Sequence, residues 1–216
     1  MFGRLADSLA GEGFSVFRFS FRGHGRSDGT QQGVTIAGEI LDLRAALDAA
    51  RKGFDAPLSV VAASFGAVST CLSLPYVEDE LRSLVLWNPV LDLHRTFIEP
   101  SLSWAVENFG PAQQTLLDSQ GFFLVEGTFE VGRVLFQEMR HYRPVDGFAS
   151  SRMPALVVHG DRDSAVPYDI ALAAADARGS CDFHTVHGSD HGFNSREHED
   201  EAIAVTAAWL AERYGV

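Results

Sequence analysis

The chain has 216 residues, of which 46% are hydrophobic, and its formal net charge is -12. This length fits one domain with an insertion better than two domains, and the apolar content is enough to fill one core. The acidic balance disfavours nucleic acid and anionic membranes as partners. Two cysteines, Cys71 and Cys181, are too few for a disulfide framework, so we expect a reducing, cytoplasmic location.

Short apolar strands alternate with amphipathic helices along most of the chain. The predicted strands cover 15–21, 58–63, 83–88, 155–159 and 182–186. The predicted helices cover 2–12, 35–51, 67–74, about 168–177 and about 196–213, with Thr35 as an N-cap and Pro75 ending the third helix. This alternation predicts an α/β fold with a mainly parallel sheet and helices on both faces.

Residues 90–153 interrupt this alternation with irregular helical patterns that are rich in aromatic residues. An insertion of this size between two strands predicts a cap, or lid, over the carboxyl edge of the sheet, where open α/β sheets bind ligands. The alternative is a set of ordinary packing helices. We therefore expect a core formed by residues 1–89 and 154–216, with the cap at 90–153.

The segment Val60-Val-Ala-Ala-Ser-Phe-Gly-Ala67 places Ser64 between an apolar strand and a helix. Small residues, Ala62 and Gly66, lie two positions on either side, where a sharp strand-to-helix turn leaves little space. Such a turn raises the serine hydroxyl above the sheet and brings the Phe65 N–H near a helix N-terminus. The pattern predicts Ser64 as a nucleophile and Phe65 as an oxyanion donor, although the serine could also simply end a strand.

A serine hydroxyl is a weak nucleophile and needs a base that a carboxylate orients. Asp163 follows the strand at 155–159, and His191 follows the strand at 182–186. Both side chains are therefore expected at the edge of the sheet where Ser64 lies.

The chain resembles an α/β-hydrolase-fold serine hydrolase over essentially its whole length. The resemblance rests on the segments Phe17-Arg-Phe-Ser-Phe-Arg-Gly-His-Gly-Arg-Ser-Asp-Gly29, Val60 to Ala67, His159-Gly-Asp-Arg-Asp-Ser-Ala-Val-Pro167 and Gly188-Ser-Asp-His-Gly-Phe193. The first loop, the helix after it and the insertion are most similar to the cinnamoyl/feruloyl-esterase-like carboxylesterases. The chain order Ser64, Asp163, His191 is the order expected for this fold.

The resemblance implies Ser64 as nucleophile, His191 as base and Asp163 as acid. Asp161 is the competing acid. The family places the acid four residues after the histidine of a His-Gly pair, which selects Asp163 over Asp161. Asp161 is then expected to bond backbone groups in its turn, and His159 to be structural beneath this loop.

Two other kinds of site are disfavoured. His184, His187 and His191, with Asp182 and Asp190, suggest a metal cluster, but His184 and His187 point to opposite faces of a predicted strand and loop. The Gly-rich loop 23–29 lacks both the Gly-x-Gly-x-x-Gly spacing and the lysine of a phosphate loop. We therefore expect neither a metal nor a cofactor.

The resemblance also implies a strand ending in His-Gly, and an oxyanion loop, ahead of the first helix, and residues 1–5 contain neither. That strand would lie between the strands at 15–21 and 58–63, so we expect the chain to be the C-terminal part of a longer one, N-terminally truncated. The alternative is that 15–21 pairs directly with 58–63. Phe2 or Gly3 is the candidate for a second oxyanion donor, whose loss costs roughly 3–4 kcal/mol.

The predicted function is a carboxylic ester hydrolase that acts through an acyl-enzyme on Ser64. The partner is a small-molecule ester or thioester with an apolar or aromatic part, to match the aromatic cap. A thioesterase, lactonase or acyl-peptide hydrolase would use the same residues. A non-catalytic binding protein on the same fold is the alternative from another class.

Overall fold

The computed structural model describes residues 1–215, and its centre is a parallel sheet in the order β1-β2-β5-β6. The strands of this sheet are β1 (Leu58–Ala63), β2 (Leu81–Trp87), β5 (Ala155–Gly160) and β6 (Cys181–Val186). Each neighbouring pair is parallel. A separate antiparallel hairpin is formed by β3 (Phe122–Val125) and β4 (Phe129–Gly132).

Helices connect these strands. They are α1 (Phe2–Gly11), α2 (Ile36–Gly53), α3 (Gly66–Val77), α4 (Ser103–Phe109), α5 (Pro111–Gln120), α6 (Arg133–Glu138), α7 (Pro144–Ser150), α8 (Tyr168–Asp176) and α9 (Arg196–Tyr214), with shorter 3₁₀ turns at Gln31–Gly33 and Glu78–Glu80 and a π-helical turn at His94–Ile98. Thr35 caps α2 as predicted, because its Oγ1 accepts a hydrogen bond from Gly38 N at 2.9 Å.

Both faces of the sheet are covered, as its continuous apolar strands predict. One face packs Leu84, Leu86 and Val157 with residues of α3, α7 and α8. The other face packs Trp87 and Val158 with residues of α1 and α9. Alternate side chains of each strand point to opposite faces, so both faces need apolar residues. The predicted strands from 58 onwards and the predicted α/β architecture are confirmed.

The strand predicted at 15–21 is wrong, and so is its direct pairing with β1. Residues 15–21 form no strand within the described chain, and Phe17 and Phe19 are 47% and 40% exposed. Residues 17–21 and residues 60–63 both line a cavity of about 970 Å³. The valine and phenylalanine residues of this segment favour an extended backbone, but a strand also needs a neighbouring strand that pairs with its N–H and C=O groups.

Helix α3 does not end before Pro75, contrary to the prediction, but continues through it to Val77. Proline cannot donate a hydrogen bond to the carbonyl four residues earlier, which here belongs to Cys71. Gly147 of α7 packs against that carbonyl, and an ideal Cβ on Gly147 would lie 2.1 Å from Cys71 O. The last turn of α3 thus tolerates Pro75, and α7 packs on the backbone next to it.

The hairpin within residues 90–153 was not among the predicted elements. Its turn has positive φ at both Glu126 and Gly127, at 52° and 68°, which is typical of the tight turns that favour hairpins. Phe109, Phe123 and Phe136 meet edge-on in the core of this region. An aromatic-rich stretch has similar apolar spacing in short helices and short strands, so periodicity alone did not separate them.

No helix in residues 1–215 combines the length and the apolar character that a membrane span requires.

The close approach of α7 to α3 gives a stability prediction. Gly147→Ala should lower the free energy of unfolding by about 1–3 kcal/mol, because the new methyl group has no room beside the Cys71 carbonyl. Gly53→Ala is the matched control, since a Cβ there meets nothing within 4 Å and alanine favours a helix. Urea unfolding followed by circular dichroism measures both, and equal midpoints for the two variants would contradict the prediction.

Candidate active site

Ser64 lies on a sharp turn between β1 and α3. Its φ of 50° is in the left-handed region, which non-glycine residues rarely adopt. Hydrogen bonds hold this conformation: Ser64 N donates to Trp87 O at 2.9 Å, and Ser64 O accepts from Ala67 N at 3.1 Å and from Val90 N at 3.2 Å. The strained turn is therefore fixed by the neighbouring strand and by the segment that follows it.

The reason given for small neighbours of Ser64 is only partly supported. Ala62 is buried in the sheet core. A Cβ added to Gly66 would meet only Phe21 Cε2 outside its own turn, at 3.8 Å, which is an ordinary contact distance. Space in residues 1–215 does not by itself require glycine at position 66.

His191 and Asp163 meet Ser64 at the carboxyl ends of the strands. His191 Nε2 lies 3.0 Å from Ser64 Oγ, and His191 Nδ1 lies 2.8 Å from Asp163 Oδ2. The carboxylate can only accept, so Nδ1–H donates to it and leaves Nε2 free to accept the serine proton. Three residues that are far apart in the chain are thus joined in one line of hydrogen bonds.

Asp163 is buried, and its carboxylate is fully engaged. Its Oδ1 accepts hydrogen bonds from Ala165 N at 2.9 Å and Val166 N at 2.8 Å. Burial by itself raises the pKa of this carboxyl, but the close His159 ring, the hydrogen bond from His191, the charge of His191 and the Val166 N–H outweigh burial and hold the pKa well below its usual range. Asp163 therefore stays ionised, and the stability it contributes is lost only as the pH falls below about 4.

His159 contacts the same carboxylate, a contact that the sequence analysis did not predict. Its Nε2 lies 3.2 Å from Asp163 Oδ2, and both side chains are completely buried. The prediction that His159 is structural named its place beneath the loop but missed this contact. The pattern His159-Gly-Asp-Arg-Asp163, four residues from histidine to acid, was the available signal.

The competing carboxylate, Asp161, bonds the loop after β6, and not backbone groups of its own turn as predicted. It accepts hydrogen bonds from Gly188 N at 2.7 Å and His187 Nδ1 at 2.9 Å. The structure thus brings Asp163, and not Asp161, to His191.

Two residues hold the site loops in roles that the sequence analysis did not assign to them. Asp190 Oδ1 accepts from Ser164 N at 2.8 Å and from His191 N at 2.7 Å, so it ties the loop after β5 to the loop after β6. Asn88, at φ 42°, ends β2, and its Oδ1 accepts from Gly160 N at 3.0 Å. An asparagine directly after a strand, followed by Pro89, was the signal for such a turn.

The histidines of the alternative metal cluster have other partners in the described chain. His184 Nε2 lies 2.7 Å from Glu201 Oε1, and His187 pairs with Asp161. His24, in the Gly-rich loop, has Nδ1 3.0 Å from Arg22 O and its ring stacked on Phe129.

Ser64 is one of the residues that line the cavity of about 970 Å³, which is mainly apolar. Its aromatic lining includes Phe2, Phe17, Phe19, Phe21, Phe65, Phe97, Trp104, Phe109 and Phe129. Phe65, the predicted oxyanion donor, begins α3 as its N-cap residue. Phe2, a candidate for the second donor, also lines the cavity and stacks on Trp87 at 6.0 Å.

Glu39 is a buried acid in the wall of this cavity and was missed by the sequence analysis. It is 2% exposed, and its Oε2 has no hydrogen-bond partner within residues 1–215. Burial, followed by the charges of Asp42 and Glu138, raises the pKa of Glu39 to about 8, although Arg22 opposes this. Arg22 is itself engaged by Asp42, with Nη2 to Oδ1 at 2.6 Å. Glu39 is therefore mostly neutral at pH 7.

Comparison with protein families gives one match over more than half of the chain. The family model described as serine aminopeptidase, S33, matches residues 1–123. A search of curated proteins found no match.

Solved structures give matches over nearly the whole chain. Est1E from Butyrivibrio proteoclasticus, with ferulic acid bound, matches with a TM-score of 0.82 and 21% identity, over 98% of this chain and 82% of that one. Mouse alpha/beta hydrolase domain-containing protein 10 matches with a TM-score of 0.75 and 19% identity, over 97% and 83% of the two chains. A monoacylglycerol lipase from Paleococcus ferrophilus matches with a TM-score of 0.71 and 16% identity, over 98% and 89%. The predicted α/β-hydrolase fold is confirmed.

The raised pKa of Glu39 predicts how stability changes with pH. The folded protein holds a proton on Glu39 up to about pH 8, whereas the unfolded chain releases it near 4.5. The free energy of unfolding should therefore fall as the pH rises between these values, by up to about 1.4 kcal/mol per pH unit from this group. Glu39→Gln should flatten this part of the profile.

Urea unfolding at a series of pH values measures the two profiles. Glu107→Gln, which changes an exposed glutamate of α4, is the control and should keep the wild-type slope. Parallel profiles for the wild type and Glu39→Gln would contradict the prediction.

Proposed function

We propose that this chain cleaves carboxylic esters through an acyl-enzyme on Ser64. The chain belongs to the α/β-hydrolase family described as serine aminopeptidase, S33, and the proposal proceeds from that membership. The observation that carries the proposal is the line of hydrogen bonds from Ser64 Oγ through His191 to Asp163, at 3.0 Å and 2.8 Å. This is the geometry that a nucleophile, its base and the orienting acid require.

In the first half of the proposed reaction, Ser64 Oγ attacks the ester carbonyl while His191 Nε2 takes its proton. The carbonyl oxygen becomes an oxyanion, and Phe65 N–H at the start of α3 is the proposed donor to it. The tetrahedral intermediate then expels the alcohol, which receives the proton from His191, and leaves an acyl group on Ser64.

In the second half, His191 removes a proton from water, and the resulting hydroxide attacks the acyl carbonyl. The attack forms a second tetrahedral intermediate. Its collapse releases the carboxylic acid, and His191 returns the proton to Ser64 Oγ. The ionised Asp163 stabilises the imidazolium in both halves through the Nδ1 hydrogen bond. These steps use only water as a second substrate and need no metal or cofactor.

The proposed substrate carries an apolar or aromatic group. Residues 90–153 act in this proposal as the cap, because Phe97, Trp104, Phe109 and Phe129 contribute aromatic walls to the cavity that Ser64 also lines. The binding of ferulic acid by Est1E supports an aromatic acyl group. Thioesters, lactones and acyl-peptides would react by the same steps, and a substrate panel distinguishes them.

The nucleophile is tested by Ser64→Ala. Hydrolysis of short-chain p-nitrophenyl esters should fall by at least about 10⁴-fold, because no other group forms the acyl-enzyme. A fluorophosphonate probe should label the wild type and not the variant, as read by intact mass. If Ser64 is never labelled, the chain is a binding protein on this fold rather than an enzyme.

The acid is tested by a matched pair of substitutions. Asp163→Asn should lower kcat by roughly 10³–10⁴-fold, since the amide cannot stabilise the imidazolium as a carboxylate does. Asp161→Asn should change kcat by less than about 3-fold, because its amide oxygen can still accept the Gly188 N–H. Equal losses in the two variants, both folded by circular dichroism, would contradict the assignment of Asp163.

A further inference from the structure

We infer that Glu39 is a specificity-determining residue, whose buried and unpartnered side-chain oxygen hydrogen-bonds a hydroxyl group on the apolar part of the substrate. The inference deepens the proposed function, since the substrate is taken to be an ester held at Ser64. It adds a polar requirement at one point of a cavity whose lining is mainly apolar.

The first observation is that Glu39 faces the same cavity as Ser64 without a partner. Its side chain is almost fully buried, both residues line the cavity, and Oε2 has no hydrogen-bond partner in residues 1–215. Buried polar atoms nearly always have a partner, because burial removes the water that would otherwise bond them. A ligand group in the cavity can supply that partner.

The second observation is the charge around Glu39. Asp42 lies on the same helix, and Glu138 from α6 accepts a hydrogen bond from Ile36 N at 2.5 Å at the start of α2. Arg22, from the loop before α2, is the cation whose charge lowers the pKa of Glu39, but its guanidinium is bonded to Asp42. The uncompensated negative charge near Glu39 favours its neutral form and disfavours a ligand carboxylate.

The chemistry of a neutral carboxyl group then selects the ligand group. A protonated carboxyl has one O–H donor and a carbonyl acceptor, and an alcohol or phenol offers the matching acceptor and donor. The walls around it are largely aromatic and aliphatic. The substrate class is therefore an ester whose apolar chain carries an uncharged hydroxyl group away from the carbonyl.

The test uses matched pairs of methyl esters. Each pair is an ω-hydroxyalkanoate and the alkanoate in which a methyl group replaces the hydroxyl, in a series from butanoate to decanoate. Binding to Ser64→Ala by isothermal titration calorimetry gives affinity without turnover, and wild-type kcat/KM gives the preference during hydrolysis. One chain length should favour the hydroxyl ester by about 10-fold, the usual value of one well-placed hydrogen bond.

Variants of Glu39 test whether this side chain causes the preference for the hydroxyl ester. Glu39→Gln keeps a neutral donor and acceptor and should retain the preference, whereas Glu39→Met should reverse it in favour of the alkyl ester. Above about pH 8 the preference should decline in the wild type but not in Glu39→Gln, since only the carboxyl ionises. Glu107→Met, at an exposed position of α4, is the control and should behave as the wild type.

Several results would overturn the inference. They are equal affinity for the two esters at every chain length, no binding of either, an unchanged preference in Glu39→Met, or tighter binding of an ω-ammonium ester than of the hydroxyl ester. If Glu39→Met does not fold, the wild-type comparison and its pH dependence decide.

The proposed function and this inference fail separately. Hydrolysis at Ser64 without a hydroxyl preference rejects only the inference. A hydroxyl preference in calorimetry without any labelling or turnover at Ser64 rejects only the esterase.

Discussion

The buried Asp163 carboxylate is the interaction on which the arrangement of the site depends. Its two oxygens take four close contacts, from two backbone N–H groups of its own loop and from His159 and His191. A buried charge is tolerated only when it is bonded in this way, so the loop after β5 has little freedom to move. The fixed carboxylate orients the His191 ring, and the ring in turn places Nε2 within hydrogen-bond distance of Ser64 Oγ.

Asp163 and Glu39 show how one fold places two buried carboxyl groups in opposite states. Asp163 is surrounded by donors, which hold its pKa well below the usual range. Glu39 is surrounded by other acids and by a cation that is already engaged, and its pKa rises to about 8. Burial acts in the same direction on both, so hydrogen bonds and neighbouring charges decide the outcome. The first group suits charge stabilisation, and the second suits hydrogen bonding to a neutral ligand.

Much of the site could be predicted because its residues lie in short sequence patterns that follow the ends of strands. Ser64, Asp163 and His191 each follow a predicted strand, and the carboxyl ends of parallel strands share one edge of a sheet. The hairpin at 122–132 could not be separated from short helices by spacing, since it depends on two residues with positive φ. Residues 15–21 have strand propensity, but a strand forms only beside another strand. The propensity of a segment does not show whether a partner strand lies next to it.

The sequence by itself determined the α/β architecture, the buried strands and the order of serine, acid and histidine, because these follow from apolar periodicity and from turn residues beside each strand. Only the tertiary structure decided that Asp163 rather than Asp161 contacts His191, that His159 shares its carboxylate, and that Glu39, whose Oε2 is unpartnered in residues 1–215, lines the same cavity as Ser64. Those facts are distances between residues far apart in the chain. They arise when strands align in a register and helices pack on them, and no local pattern encodes that geometry.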